Sequence, residues 1–162
     1  MMPPKHLQAH SAAEIEADAN ERTTAVGLYH YALSYRRAAD ALGTLKLRAT
    51  HPESPREFLY YHAIELFLKA YLRNVGLSVL ALKGLSHSTG KLQSEFLEHG
   101  GELMDEDREV LDIMHKTDVV AQSRYIRTGA FTKPTLQALA RTAKSLAETA
   151  RRALKQSGLP IR

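Results

Sequence analysis

Apolar residues recur every three to four positions along most of this chain, and no stretch alternates in the manner of a strand. The clearest case is the segment 58–72, FLYYHAIELFLKAYL. At helical spacing its apolar stripe comprises Tyr61, Ile64, Leu68, Tyr71 or Leu72, and Val75. His62, Glu65 and Lys69 stack beside that stripe at i, i+3 and i+7. The pattern predicts a largely buried helix with a charged strip at its edge.

An earlier helix is predicted between Thr24 and Leu47. Its apolar stripe comprises Leu28, Tyr31, Tyr35, Ala38, Leu42 and Leu45. Pro52 and Pro55 must break it, because proline lacks an amide donor and pushes the preceding residue out of the helical region. The next helix, which contains the segment 58–72, is therefore expected to open at Ser54 or Pro55 and to end between Asn74 and Gly76.

Three further helices are predicted downstream, after a loop over residues 84–90. A short one centres on Leu92, Phe96 and Leu97 and closes at Gly100 and Gly101. Acidic residues at 105–107 suit a helix start because the helix dipole is positive there, and that helix is expected to run to about Gln122. A linker over 123–134 leads into the last helix. Near the N-terminus, Ser11 and Glu14 have the spacing of a capping box, which could start a short helix.

These elements predict an all-α fold, a helical bundle of four to five main helices with short loops and no sheet. Residues 1–22 are interpreted as a polar N-terminal extension, 23–156 as a single helical domain, and 157–162 as a C-terminal tail. The length of 162 residues fits one domain.

The amino-acid composition excludes several kinds of functional site. The chain contains no cysteine, which excludes a disulfide framework, a thiolate zinc site and a cysteine nucleophile. It has neither a signal-like apolar run at its start nor about 18 consecutive apolar residues. A soluble cytoplasmic protein without a membrane partner is therefore expected.

The charge is moderately basic, at +4 with a pI near 9.4. In the last helix, basic residues fall off the apolar stripe; they are Arg141, Lys144, Arg151, Arg152 and Lys155. This basic outer face has two interpretations, a solvated helix surface or a surface that binds the phosphates of nucleic acid.

The segment 58–72 resembles the HEPN family, small all-helical nucleotide- and RNA-associated domains of prokaryotes and higher eukaryotes. Residues elsewhere that share the resemblance are Tyr31, Tyr35, Ala38, Ala39, Leu42, His87, Arg124 and Tyr125. It extends over roughly residues 28–150, although only the segment 58–72 is specific. The resemblance implies a helical bundle, a homodimer and no cofactor. In catalytically active members it implies a metal-independent ribonuclease that uses an arginine followed, after four to six residues, by a histidine.

Two pairs match that ribonuclease spacing, Arg56 with His62 and Arg108 with His115. About two matches are expected by chance in a chain of this composition. The family's motif lies late in the domain, which favours Arg108 and His115; seven residues apart on one helix, they could offer a phosphodiester a cation and a general acid or base. In another alignment Arg124 takes the arginine position and residues 129–131 hold no histidine, so the motif is broken.

Other candidate residues have more than one possible role. Arg124, Tyr125 and Arg127 suit phosphate contacts and base stacking, although Arg124 suits equally a pair with Glu65. Glu65 is expected to pair with Lys69 one turn later, beside a His62 satisfied by its neighbours. No metal is expected, because His62 and Glu65 supply only two ligands. His87 matches a histidine that the family places before its third helix, where it serves the loop or a site.

Three functions follow from these residues. The favoured one is an RNA- or nucleotide-binding module whose contacts come from His62, Glu65, Lys69, His87, Arg124, Tyr125, Arg127, Arg141, Lys144 and Arg151. The second is a metal-independent ribonuclease of the toxin or defence type. The third is an interaction module whose tyrosine-rich helices form a homodimer or dock a nucleotidyltransferase-type protein through Tyr29, Tyr60 and Leu77.

Overall fold

All regular secondary structure in the described part of the chain is helical, which confirms the all-α class. The structure is a computed structural model that describes residues 11–126 and 129–161. Its helices are α1 (Ala12–Arg22), α2 (Ala25–Leu42), α3 (Ser54–Asn74), α4 (Val79–Leu85), α5 (Thr89–Glu98), α6 (Asp105–Lys116), α7 (Val119–Gln122) and α8 (Leu136–Gln156). The predicted number of main helices is only roughly matched, because α1, α4 and α7 are additional short elements.

Helix α3 is the centre of the bundle, and it packs against α2, α5 and α8. It begins at Ser54 with proline in its first turn and ends at Asn74, as predicted. Ile64, Leu68 and Leu72 are completely buried. The predicted stripe is therefore confirmed except at Val75, which is exposed beyond the end of the helix.

The predicted buried face of α2 is only partly right, because Leu28 and Tyr35 pack against the core but half of the predicted stripe does not. Tyr31, Ala38 and Leu45 are exposed, and the residues that α2 buries are instead Ala25, Tyr29, Ala32, Leu33 and Ala39. Because α2 lies against both α3 and α8, small alanines on the inner face allow close approach, and Tyr31 and Tyr35 lie at the edge.

The surface predicted for protein interaction is also wrong, because its residues lie in or against the core. Tyr29 is 4% exposed and Tyr60 1% exposed, and Leu77 packs against the core. These tyrosines stabilise the bundle from inside. Tyr60 donates a hydrogen bond of 2.6 Å to Asp40 across the α2–α3 contact, while Tyr29 packs on Phe67.

Three boundaries differ from the sequence prediction. Helix α2 ends at Leu42 rather than Leu47. The region predicted as a loop over 84–90 begins inside α4, a short helix capped by Ser78, whose side chain accepts the amide of Ala81. The helix that starts at Asp105 ends at Lys116, and Asp118 takes a left-handed conformation (φ 46°) before the single turn of α7.

Helix α1 is tied to the bundle by the guanidinium of Arg73 and by the side chain of Asn20. The Ser11–Glu14 capping box is confirmed at its start. Near its end, Arg73 of α3 donates to the carbonyls of Asn20 at 2.8 Å and Thr23 at 3.0 Å. The side-chain oxygen of Asn20 in turn accepts the Val79 amide of α4 at 2.8 Å. These contacts hold α1 beside the junction of α3 and α4.

Helix α8 has the predicted apolar inner face and basic outer face. Its inner face buries Leu139, Thr142, Ala143, Leu146, Ala147, Ala150 and Leu154, and its basic residues are exposed. Thr142 donates to the buried carboxylate of Asp107 at 2.7 Å, which fixes α8 against α6. Among the described helices, none combines the length and apolar character needed to cross a membrane.

Candidate functional site

A buried carboxylate organises the charged strip of α3. The side chain of Glu65 is 3% exposed, and it accepts a hydrogen bond of 2.6 Å from Lys69, one turn later, as predicted. Nδ1 of His87 lies 3.0 Å from both carboxylate oxygens. Burying a carboxylate is unfavourable unless it is paired, so Glu65 holds the lysine and the histidine together. With His62, these residues form what we call the Glu65 cluster.

The backbone around His87 explains how that ring reaches α3 from a loop. Ser86 takes a positive φ of 54°, and Ser88 caps α5 by accepting the Lys91 amide. Because Nδ1 faces the carboxylate, the neutral ring carries its proton there and presents Nε2 as an acceptor. Within the described residues Nε2 has no hydrogen-bond partner, and the side chain is 48% exposed.

His62 lies among aromatic rings rather than in hydrogen bonds to the described residues. Its ring centroid is 4.3 Å from that of Tyr35 and 6.2 Å from that of Phe58, which is nearly parallel to it. Burial lowers the pKa of His62; Glu65 opposes this, and the charges of His87, Lys69 and Arg124 lower the pKa further. The neutral form of His62 is therefore favoured in the folded protein.

A tyrosine pair borders His62 on the α2 side. The hydroxyls of Tyr31 and Tyr35 are 3.1 Å apart, and their rings meet edge to face at 5.0 Å. The hydrogen bond to Tyr31 raises the pKa of Tyr35. Tyr31 is 54% exposed, so a flat apolar ring lies at the surface beside the Glu65 cluster. The i, i+4 spacing of the two tyrosines was the sequence signal for this pair.

Arg124 and Tyr125 follow α7 and line a cleft of about 320 Å³. Tyr61 and Glu57 of α3 line its other side, where Glu57 pairs with Lys133 at 2.5 Å. Tyr125 is 73% exposed. Tyr61 of this cleft directly precedes His62 on α3, and the charge of Arg124 lowers the pKa of His62. The possible Arg124–Glu65 ion pair is not formed, since the partners of Glu65 are Lys69 and His87. Arg127 lies outside the described residues.

The two arginine–histidine pairs have different surroundings. His115 lies over Gly90, so close that a Cβ there would be 2.8 Å from the imidazole ring, in a cleft of about 530 Å³. Arg108 is two turns away on α6, a rise of roughly 10 Å, and does not line that cleft. The pairing of Arg108 with His115 stays a prediction. Arg56 donates to the carbonyl of Ala39 at 3.2 Å and joins α2 to α3.

The basic residues predicted on α8 do not line either of these clefts. Lys144 and Arg151 are exposed. Arg141 is partly engaged with α6, because it donates to the carbonyl of Glu106 at 3.3 Å and lies 3.8 Å from Asp107.

Comparison with known proteins finds no family model that matches the chain, no similar curated protein and no similar solved structure. In the described ranges no three histidine, aspartate or glutamate side chains are grouped as a metal site would need.

Proposed function

We propose that this protein is an RNA- or nucleotide-binding helical module that binds along the edge of α3. The observation that carries the proposal is the combination of exposed aromatic rings with cationic side chains around the Glu65 cluster. Tyr31 is exposed and its ring lies 6.4 Å from that of His62, while the exposed Tyr125 shares its cleft with Arg124. Glu65 holds Lys69 and His87 in the same cluster as His62. Single-stranded nucleic acids bind such surfaces by base stacking and by phosphate contacts, and each stacked base contributes about 1–3 kcal/mol.

The charge balance also supports an anionic ligand. Glu65 is the acidic member of its cluster and is buried. A ligand at the surface would therefore contact Lys69 and His87 rather than the carboxylate itself. Lys69 is partly exposed, and Arg124 adds a second, exposed donor group. The accessible groups therefore favour a phosphate over a cation.

Binding to a fluorescent single-stranded RNA, measured by anisotropy at several salt concentrations, tests this proposal. We expect Arg124→Ala to weaken binding about tenfold and to reduce the salt slope by about 0.7, because one phosphate contact is lost. Tyr31→Ala should weaken binding to a similar extent without a change in slope, because stacking releases no counterions.

Arg22→Ala is the matched control, since it removes an exposed arginine of α1 that pairs with Asp18. Its binding should equal that of the unmodified protein. Unchanged affinity in both Arg124→Ala and Tyr31→Ala, or an equal loss in Arg22→Ala, would contradict binding at the α3 edge.

A second function, a metal-independent ribonuclease, is favoured by the geometry of His87. An imidazole held at Nδ1 by a carboxylate, with Nε2 open to solvent, is arranged as a general base. Nε2 would take the proton of a ribose 2′-hydroxyl, whose oxygen would attack the adjacent phosphorus. The bond to the 5′-oxygen would break, and water would protonate that oxygen. The products would be a 2′,3′-cyclic phosphate and a 5′-hydroxyl.

Incubation of labelled RNA with the purified protein in EDTA tests this second function. Cleavage is expected to be lost in His87→Ala and kept in His115→Ala. His99→Ala is the control, because His99 also lies near a carboxylate, Glu95, at 3.5 Å, but at the opposite end of α5. Loss of cleavage in His115→Ala alone would instead assign the chemistry to the Arg108–His115 pair. If the unmodified protein does not cleave RNA, the ribonuclease function is rejected and the binding function is kept.

A further inference from the structure

The cleft beside Arg124 contains a buried carboxylate. Glu57 of α3 lines this cleft and is 8% exposed, whereas Glu53, one turn earlier, lies at the surface. The Oε1 atom of Glu57 accepts a hydrogen bond from the ammonium group of Lys133, which lies in the segment before α8 and also lines the cleft. A carboxylate and an ammonium group from distant parts of the chain are therefore held side by side in one cleft.

The second oxygen of Glu57 is open to this cleft. Within residues 11–126 and 129–161, Glu57 forms hydrogen bonds through Oε1 alone. In these ranges the one buried side-chain nitrogen or oxygen that lacks a partner is Nε of Arg36, so Oε2 of Glu57 is not enclosed by protein. Because Glu57 is otherwise buried and lines the cleft, Oε2 meets solvent there. An ionised carboxylate accepts on both oxygens, so Oε2 is available to the N–H groups of a ligand.

Aromatic side chains form part of the remaining lining. Tyr61 of α3 is buried, whereas Tyr125 and Phe131, from the segment between α7 and α8, are exposed. Exposed rings stack on nucleobases, whose edges then stay free for hydrogen bonds. The cleft volume of about 320 Å³ lies at the lower end of the range for small-molecule sites, roughly 300–1,000 Å³. The cleft is therefore of a size for a single base.

The pair of Lys133 and Glu57 distinguishes among the bases. The Watson–Crick edge of guanine has one acceptor, O6, beside two donors, N1–H and the N2 amino group. Nζ of Lys133 can donate to O6, and the carboxylate of Glu57 can accept from both donors. Adenine, cytosine and uracil each have a single donor group on that edge. They would leave part of the carboxylate without a partner, which is unfavourable for a largely buried group.

We propose that this cleft binds one guanine base, with Glu57 accepting from its N1 and N2 groups and Lys133 donating to O6. The inference rests on the proposed function, since it takes nucleotide binding at the edge of α3 as given and names the base. Arg124 lines the same cleft and is exposed, so it is placed to contact the phosphate of that nucleotide. The same base occurs within RNA and on free guanine nucleotides.

Fluorescence anisotropy with a series of short oligouridine RNAs tests the base directly. The RNAs carry one central guanosine, inosine or adenosine, or uridine alone. Inosine lacks only the N2 amino group, so it should bind about tenfold more weakly than guanosine, the loss expected for one charge-assisted hydrogen bond. The adenosine and uridine RNAs should bind more weakly than guanosine by at least the same factor. Because the three purines have similar rings, differences among them report hydrogen bonding at the edge of the base.

Glu57→Gln should reduce the preference for guanosine over inosine to within twofold. The amide removes the negative charge, and its NH₂ group would face a donor of guanine. Glu53→Gln is the matched control, because it removes the same charge from an exposed position on α3 that does not line the cleft. It should keep the full preference. Glu57 is buried, so its variant is checked for folding by circular dichroism. The ratio of two affinities measured on one protein does not depend on the fraction that is folded.

The outcomes separate this inference from the proposed function. If the guanosine, inosine and uridine RNAs bind equally well and Arg124→Ala weakens all three, the base assignment is overturned while binding at the α3 edge stands. A preference kept in Glu57→Gln, or lost equally in Glu53→Gln, also overturns the assignment, because another group would then recognise the base. If neither the RNAs nor GMP bind, the inference and the proposed function both fail.

A competition arm identifies the source of the guanine. GMP and IMP are titrated against the protein bound to the guanosine RNA. Displacement by GMP at concentrations near the dissociation constant of the RNA, with IMP about tenfold weaker, supports the site and assigns free nucleotides to it. An RNA that keeps its guanosine preference and resists a large excess of GMP supports the site and assigns guanosine within RNA.

Discussion

Glu65 is the residue on which the candidate site depends. It fixes Lys69 through the helical spacing of α3 and fixes His87 from a loop 22 positions later in the chain. The first contact could be predicted from sequence, because i, i+4 charge pairs are local. The second could not, since Ser86 and Ser88 orient His87 through a turn whose geometry depends on where α5 packs. The same limit applies to Tyr35 and His62, which meet only because α2 lies against α3.

Replacing Glu65 with glutamine should lower the free energy of unfolding by about 2 kcal/mol, because Lys69 and His87 lose a buried, charged acceptor. Urea denaturation measures the change. Glu95→Gln is the control: its partner His99 is substantially exposed, so we expect a loss within about 0.5 kcal/mol. Equal losses in the two variants would show that the Glu65 contacts contribute no more than a surface pair.

His62 should make stability depend on pH. Its pKa is lowered in the folded protein, so the unfolded chain binds a proton more readily than the folded one. The contribution of His62 to stability is therefore full above its ordinary pKa of about 6.5 and is lost as pH falls through that value towards the folded pKa. Between pH 7.5 and 5.5, His62→Phe should lose less stability than the unmodified protein. An unchanged pH dependence in His62→Phe would contradict this assignment.

At the scale of elements, long amphipathic helices were predictable and short ones were not. Helices α3, α5 and α8 carry strong stripes with proline or glycine at their boundaries, and their residue ranges follow from sequence. Helix α4 has only two buried residues, Val79 and Leu82, which give too short a pattern to read. The buried face of α2 was only partly predicted, because packing against α3 and α8 buries Tyr29 and three alanines, whereas Tyr31 stays at the surface. The spacing of apolar residues within α2 does not show which of its faces will be buried.

The turn between α5 and α6 should be sensitive to a single methyl group. Gly101 is buried, and a Cβ at this position would overlap the ring of Phe96, which is 1% exposed. Gly101→Ala should therefore destabilise the protein by about 1–3 kcal/mol through overpacking. Gly90→Ala is a useful comparison, because its Cβ would meet the exposed ring of His115, which can move. Thermal unfolding of both variants should place Gly101→Ala well below Gly90→Ala; the reverse order would contradict the packing described at this corner.

At the scale of the whole molecule, the described helices are held together by a core centred on α3 and by a few polar contacts between distant segments. Asp107 with Thr142 joins α6 to α8, and Glu57 with Lys133 joins α3 to the segment before α8. Arg73 joins α1 to the rest. The sequence interpretation placed residues 1–22 in an extension outside the domain. In the structure that boundary falls at the end of α1. Arg73, which belongs to the predicted domain, donates a hydrogen bond to Asn20 on the other side of it.

Arg73 therefore determines whether α1 unfolds with the bundle. Its guanidinium donates to three carbonyls, those of Asn20, Thr23 and Leu77. Arg73→Lys keeps the charge, but a single ammonium cannot reproduce that planar fork, so we expect a loss of about 2 kcal/mol in unfolding free energy. Hydrogen exchange should then speed up in α1 while the amides of α3 stay protected, because α1 buries no residue of its own. Arg56→Lys provides the comparison, since Arg56 makes one such contact, to Ala39. If α1 and α3 exchange at one common rate in Arg73→Lys, then α1 is bound to the bundle by more than this guanidinium.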